Sequence, residues 1–344
     1  MPFDPGPIVA AARAALPPAM WDHVTTGSWS EVTAREAAAA WQGLRFRPRV
    51  LRGVGEPVIE ARLLGREVAT PVGIAPTSLQ RLAHPEGELA MAAGARDAGC
   101  VNVVSSNAGH RFAEIGARAG TWWLQLYLPP ERSAALPVIE VARAAGAAAL
   151  VLTVDTPEPG PKPRPDDEAW EGLDLSWFRC NFAEPGTLRW AGDLRPEDVG
   201  WLAEQSGLPV VVKGVLRGDD AHACVDAGAA AVWVSNHGGR QLDRAIPTAL
   251  ALPEVVEAVD RRAEVYVDGG ISSGLDALAA WAMGADAVFL GRLPLFALAA
   301  GGRDGVAQLV RELTDDVVRV MRLAGARTLS DIGGDLLVGA SESG

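Results

Sequence analysis

Ser235-Asn236-His237-Gly238-Gly239-Arg240-Gln241-Leu242-Asp243 follows directly on the apolar run Ala231-Val232-Trp233-Val234. A buried strand there ends by presenting an imidazole, His237, and three residues later a permanent cation, Arg240. The two glycines between them let the backbone turn sharply and come close to a ligand. A proton acceptor beside a guanidinium that can grip a carboxylate is the pair needed to take hydrogen from a 2-hydroxy acid. The plainer reading is a strand end closed by a structural histidine and a surface arginine. A second stretch able to do chemistry is Asp268-Gly269-Gly270-Ile271-Ser272-Ser273-Gly274, with Gly291-Arg292 further on. Glycine-rich turns expose backbone N–H groups, a following helix N-terminus adds positive potential, and Arg292 supplies charge. Together they suggest a phosphate site, whether the phosphate is a cofactor's or a substrate's. Alone, Asp-Gly-Gly is also what a simple tight turn looks like.

These residues need elements to hold them. Eight apolar, β-rich runs recur at 71–77, 101–106, 121–127, 149–155, 209–215, 231–237, 264–270 and 286–292. Each is a continuous string rather than an alternation, as expected of strands covered on both faces. Between them lie segments of helical spacing. Those at 86–99, 131–146, 219–228 and 273–284 each close on a glycine just before the next strand, which is helix C-terminal punctuation. Eight strands alternating with helices predict a closed (β/α)₈ TIM barrel within the α/β class. An open doubly wound sheet is the rival. The polar residues at the strand ends favour the barrel, because all such ends converge on its C-terminal mouth, where active sites form.

The chain of 344 residues is read as one barrel domain, 1–344, with additions. Residues 1–70 form an N-terminal helical extension over the barrel's bottom or side. Residues 156–200 form a lid-like insertion after the fourth strand, opening with a proline-rich run that cannot be helical. Its tryptophans Trp170, Trp177 and Trp190 argue against a solvated linker. The formal charge of −12 disfavours nucleic acid and membrane surfaces as main partners. Cys100, Cys180 and Cys224 are scattered, which points to a reducing, cytoplasmic compartment, and no residues sit at metal-ligand spacing. The N-terminus lacks the basic start and apolar core of a secretion signal.

Over residues 16–329 the chain resembles the FMN-dependent 2-hydroxy acid oxidase and dehydrogenase family, which includes glycolate oxidase, lactate oxidase and mandelate dehydrogenase. The resemblance is carried by Ile74-Ala75-Pro76-Thr77, His84-Pro85-Glu86-Gly87-Glu88, Leu124-Gln125-Leu126-Tyr127, Leu152-Thr153-Val154-Asp155-Thr156-Pro157, Val212-Lys213-Gly214-Val215, the stretch from Ser235 to Asp243, and Asp268-Gly269-Gly270. It implies FMN as cofactor, a 2-hydroxy acid as small-molecule substrate, a 2-oxo acid as product, and oxygen or another acceptor for the electrons. It also implies a homotetramer. By the same resemblance His237 takes the hydroxyl proton, Asp155 orients and stabilises His237, Arg240 clamps the substrate carboxylate, and Tyr127 sits near the substrate. Lys213 stands beside the flavin edge where negative charge collects. Ala75, Pro76, Thr77, Ser105, Gln125, Thr153 and Ser235 correspond to flavin-ring and ribityl contacts. Asp268, Gly270, Gly291 and Arg292 correspond to ribityl and phosphate contacts.

The chain departs from the family pattern at the substrate and phosphate ends. His23 stands where a carboxylate-binding tyrosine is usual. A second carboxylate-binding arginine has no clean match, and Lys162 or Arg164 is its replacement. Ser272 stands in place of a phosphate-turn arginine, which weakens FMN retention. Asn107 stands where glycolate oxidase has an aromatic residue. These changes imply a substrate other than plain glycolate or lactate. Two other functions compete: a phosphate-binding barrel lyase or isomerase using Lys213 as a Schiff-base nucleophile, and a flavin-binding member with altered or lost catalysis.

Overall fold

Eight short strands close into a parallel barrel in the computed structural model, which describes residues 2–163, 173–183 and 189–338. Three helices come first: α1 (Gly6–Ala15), α2 (Pro18–Thr25) and α3 (Val32–Gln42). An antiparallel hairpin follows, β1 (Ala61–Leu63) and β2 (Arg66–Val68). The barrel strands are β3 (Val72–Ile74), β4 (Asn102–Ser105), β5 (Trp122–Leu126), β6 (Leu150–Thr153), β7 (Val210–Val215), β8 (Ala231–Val234), β9 (Glu264–Val267) and β10 (Ala287–Leu290). They pair in chain order, and β10 closes on β3. The intervening helices are α4 (Gln80–Ala83), α5 (Gly87–Ala98), α6 (Phe112–Gly116), α7 (Leu136–Ala144), α8 (Glu197–Ser206), α9 (Gly218–Asp226), α10 (Thr248–Val259) and α11 (Gly274–Ala282). The last, α12 (Arg292–Ala324), is broken at Gly302.

The strands are buried on both faces because each faces a different core. Inward, Trp123, Trp233, Tyr266 and Phe289 fill the barrel, with Trp233 and Phe289 centroids 4.1 Å apart and Trp123 and Tyr266 stacked at 5.5 Å. Outward, residues such as Leu124, Leu150, Val212 and Val232 pack with Leu252 and Leu278 of the surrounding helices. The hairpin adds Leu63 and Val68 to the inner core. Its Leu64 N–H donates to Glu264 Oε1 at 2.8 Å, at the start of β9, so the hairpin plugs the N-terminal end of the barrel.

The structure corrects three boundaries. The predicted strands are longer than the observed ones: the run 231–237 is paired only as far as Val234, and 264–270 only to Val267. Beyond those points the chain leaves the ladder to aim polar groups at the mouth. The first seventy residues are not uniformly helical, and they do not all lie at the bottom or side. The hairpin takes the bottom, whereas α2 and α3 contribute His23, Ala34 and Ala37 to a cavity at the mouth. The insertion ends earlier than residue 200, because Pro196 starts α8 and Glu197 is already helical.

Candidate active site

The turn after β8 carries His237. His237, Gly238 and Gly239 take successive left-handed φ values of 56°, 62° and 74°. Such a turn is costly for a side chain and persists only where neighbours enforce it. Here the loop between α2 and α3 enforces it: the Ser28 N–H donates to Gly239 O at 2.9 Å, and the Ser28 hydroxyl donates to Gln241 O. A Cβ on Gly239 would stand 2.6 Å from the Ala34 N atom, so glycine is required there by contact as well as by φ. Asp243 secures the same joint, accepting from Ser30 N–H and Thr33 N–H at 3.0 Å each, at the start of α3.

His237 Nδ1 lies 2.9 Å from Asp155 Oδ1. An ionised carboxylate only accepts, so Nδ1 carries the proton and Nε2 is the basic atom of the neutral ring. Burial pushes the Asp155 carboxyl upward, but the charge and hydrogen bond of His237, with Lys213 and Thr156, outweigh it and hold the group below its ordinary range. The Thr156 hydroxyl donates to Asp155 Oδ1 at 3.1 Å. Gln241 donates to Thr156 through Nε2 and accepts from Gly160 N–H at 2.7 Å, tying the base turn to the insertion.

A polar row runs along the neighbouring strand ends. Ser105 donates to Gln125 Oε1 at 3.1 Å, and Gln125 Nε2 donates to Thr153 Oγ1 at 3.0 Å. Lys213 is 4 % exposed, donates to Ser235 Oγ at 2.8 Å and lies 3.2 Å from Asp268 Oδ2. Ser235 donates in turn to Asp268 Oδ1 at 2.7 Å. Lys213 Nζ is thus engaged by Ser235 and Asp268 rather than presented to a carbonyl carbon, which disfavours the Schiff-base role considered for it.

The two arginines are fixed by one short piece of backbone. Arg240 donates from Nη1 to His23 O at 2.5 Å and Thr26 O at 2.9 Å, and its Nη2 lies 3.3 Å from His23 Nε2. Arg292 donates from Nε to Val24 O at 3.0 Å and from Nη2 to Gly238 O at 2.8 Å. The carbonyls at the C-terminal end of α2 are a natural seat for cations. At the other glycine-rich turn, Ser272 donates its N–H to Asp276 Oδ2 at 2.9 Å, and Asp316 Oδ2 accepts from Gly274 N–H at 3.0 Å. Two protein carboxylates thus cap the start of α11. The head of α12 is open: nothing lies within 4 Å of where a Cβ on Gly291 would stand.

These turns and strand ends enclose one cavity of about 580 Å³, the size of a cofactor or ligand site. Of the residues singled out in the sequence, Ala75, Pro76, Thr77, Ser105, Gln125, Tyr127, Thr153, Lys213, His237, Arg240, Asp268, Gly270, Gly291, Arg292 and His23 line it. Asp155 and Ser235 stand directly behind the lining through the bonds above. Lys162 also lines it, with Nζ 3.5 Å from Arg240 O. Arg164 and Trp170 lie outside the described residues. Burial and the charge of Asp155 push the Tyr127 phenol well above its ordinary range, so it remains a donor. Sequence reasoning missed Gln241 and Thr156 as struts and Arg179 and Ala34 as neighbours. Gln241 lay inside the motif, but nothing in its spacing pointed across to Gly160.

Residues 12–339 match the model of a family described as FMN-dependent dehydrogenase. The chain is 39% identical to a 4-hydroxymandelate oxidase of Amycolatopsis orientalis, over 93% of each. It is equally 39% identical to an L-lactate oxidase of a Nostoc strain, over 93% of this chain and 94% of that one. A glycolate oxidase of Arabidopsis thaliana is 37% identical over 93% and 92%. The crystal structure of a mandelate oxidase with (S)-4-hydroxymandelic acid superposes with a TM-score of 0.89 at 38% identity, covering 97% of this chain and 98% of the other.

Proposed function

The chain belongs to the FMN-dependent dehydrogenase family, and from that premise we propose how its residues divide the work. The protein is an FMN-dependent oxidoreductase that oxidises a 2-hydroxy acid to a 2-oxo acid. The cavity suits the cofactor: a strand-end row of polar groups, a buried cation at Lys213 and the open helix head at Gly291 match ring, electron-rich edge and phosphate. When bound, FMN supplies the two-electron acceptor for the hydrogen on the substrate's α-carbon.

His237 Nε2 takes the hydroxyl proton, while Asp155 holds Nδ1–H and stabilises the imidazolium that results. Arg240 and Lys162 hold the substrate carboxylate, with His23 beside them. The Tyr127 phenol, kept protonated, donates a hydrogen bond to the substrate. Ala75, Pro76, Thr77, Ser105, Gln125, Thr153 and Ser235 hold the ring and ribityl chain; Asp268, Gly270, Gly291 and Arg292 hold the ribityl end and phosphate. The observation that carries this reading is the His237–Asp155 pair at 2.9 Å, on the same cavity as Arg240. We read residues 1–344 as one FMN-binding domain, and the protein as a cytoplasmic homotetramer. Three unpaired cysteine thiols and the family likeness support the last two points. Light scattering on the purified protein tests the assembly.

The test of function is anaerobic mixing of the yellow protein with a panel of 2-hydroxy acids. Loss of the flavin absorbance with at least one acid, and appearance of the 2-oxo acid, is expected. Protein that takes up FMN but is bleached by no 2-hydroxy acid would return the reading to a flavin-binding protein without this chemistry.

A further inference from the structure

One stretch of the cavity wall carries an arrangement that proton removal and carboxylate binding do not use. Asn107, just beyond β4, borders the cavity and is buried. Its Oδ1 accepts from Arg179 Nε at 2.8 Å. Arg179 comes from the insertion and lies over two rings, at 5.1 Å from Phe178 and 5.8 Å from Trp190. Trp190 in turn stacks on Tyr127 at 4.4 Å. Arg179, Trp190, Tyr127 and Asn107 therefore form one linked wall.

A guanidinium can only donate, so its bond decides which end of the Asn107 amide is the oxygen. The NH₂ end is then turned away from Arg179. No described side chain or carbonyl accepts from it, and it is not sealed from the cavity. An amide donor left without an acceptor at a binding site favours a ligand that brings one. Charge agrees: the Arg179 guanidinium stands behind the amide, and the carboxylates at the cavity, Asp155 and Asp268, are already committed to His237 and Lys213.

Building on the oxidation proposed above, we propose that Asn107, oriented by Arg179, selects 2-hydroxy acids whose side chain ends in an oxygen acceptor, a carboxylate above all. Asn107 is the specificity-determining residue, and Arg179 is a positioning residue that acts through it.

Three acids of matching branching test this: 2-hydroxysuccinate, its 4-amide, and 2-hydroxy-4-methylpentanoate. The wild-type holoenzyme is expected to favour the first over the last by about tenfold or more in kcat/KM, the value of one well-made hydrogen bond to a charged group. Asn107→Leu brings that ratio to within about twofold of unity. Arg179→Met frees the amide to turn over, so the preference for the 4-carboxylate over the 4-amide disappears; Arg179→Lys, which still donates to Oδ1, restores it. The 2-deoxy analogues succinate, succinamate and 4-methylpentanoate have no hydroxyl to oxidise, and their affinities, read from flavin difference spectra, follow the same order. Equal use of the alkyl and carboxylate acids by the wild type, or an unchanged ratio in Asn107→Leu, overturns the selection while leaving the oxidation standing. Failure of all three acids to bleach a yellow protein that another 2-hydroxy acid does bleach also overturns the selection alone; bleaching by no 2-hydroxy acid overturns both.

Discussion

In the proposed chemistry His237 is a base whose direction is set chiefly by its hydrogen bond to Asp155, and the consequences are local. His237→Ala is expected to retain bound FMN and to lose about 10²–10⁴-fold in the rate of flavin reduction, the usual worth of a positioned acid or base; stopped-flow absorbance measures it. Asp155→Asn leaves the ring without a carboxylate and lowers the same rate. The pair also sets an acid limit on stability. Because the folded Asp155 carboxyl sits below its ordinary value of 3.8, the unfolded chain binds more protons than the folded one as pH falls into that range. Its contribution is thus fully present well above pH 3.8 and is lost as pH drops through 3.8 towards the folded value. Urea midpoints between pH 7 and 3 are expected to fall less steeply at the acid end for Asp155→Asn than for the wild type. At the phosphate end, Ser272→Arg would add a cation beside Asp276, whose carboxyl burial pushes up. It is expected to tighten FMN about tenfold or more, in line with one charge-assisted hydrogen bond; fluorescence of released flavin on dilution reads it.

At the scale of elements, the site is a joint between the β8 turn and the helices that precede the barrel. Gly239→Ala would drive a methyl into the backbone of α3 and also strain a left-handed residue. A loss of about 1–3 kcal/mol is expected from the conformation alone, seen as a lower melting temperature, with weaker substrate binding because Arg240 moves with the turn. How much of this was legible in the sequence depends on the range of each interaction. His237, Arg240 and the glycines between them could be read, because a strand, a turn and a local motif fix them. The place of Lys162 could not, because it depends on Gly160 being held by Gln241, 81 residues away. Arg179 and Trp190 were equally hidden: their places follow from rings and amides met only after folding.

For the molecule as a whole, the barrel was legible and its plug was not. The eight runs showed themselves because strands covered on both faces are apolar throughout, whereas β1 and β2 are three residues each and carry too few side chains to show a pattern. The inner aromatic cluster joins stability to function. Trp233 is fully buried, packs on Phe289 and Tyr266, and its ring lies 5.4 Å from Lys213 Nζ. Trp233→Ala is expected to cost about 3–5 kcal/mol in a denaturant titration. The seat of both arginines on residues 23–26 bears on how such an enzyme can change over time. In the proposed division of roles, that segment yokes the end that would anchor the nucleotide to the end that would grip the acid, so an alteration there would be felt in both places at once. Residues 107, 179 and 190 are outside the yoke, and drift among them can explore new metabolites while the electron-transfer engine stays intact.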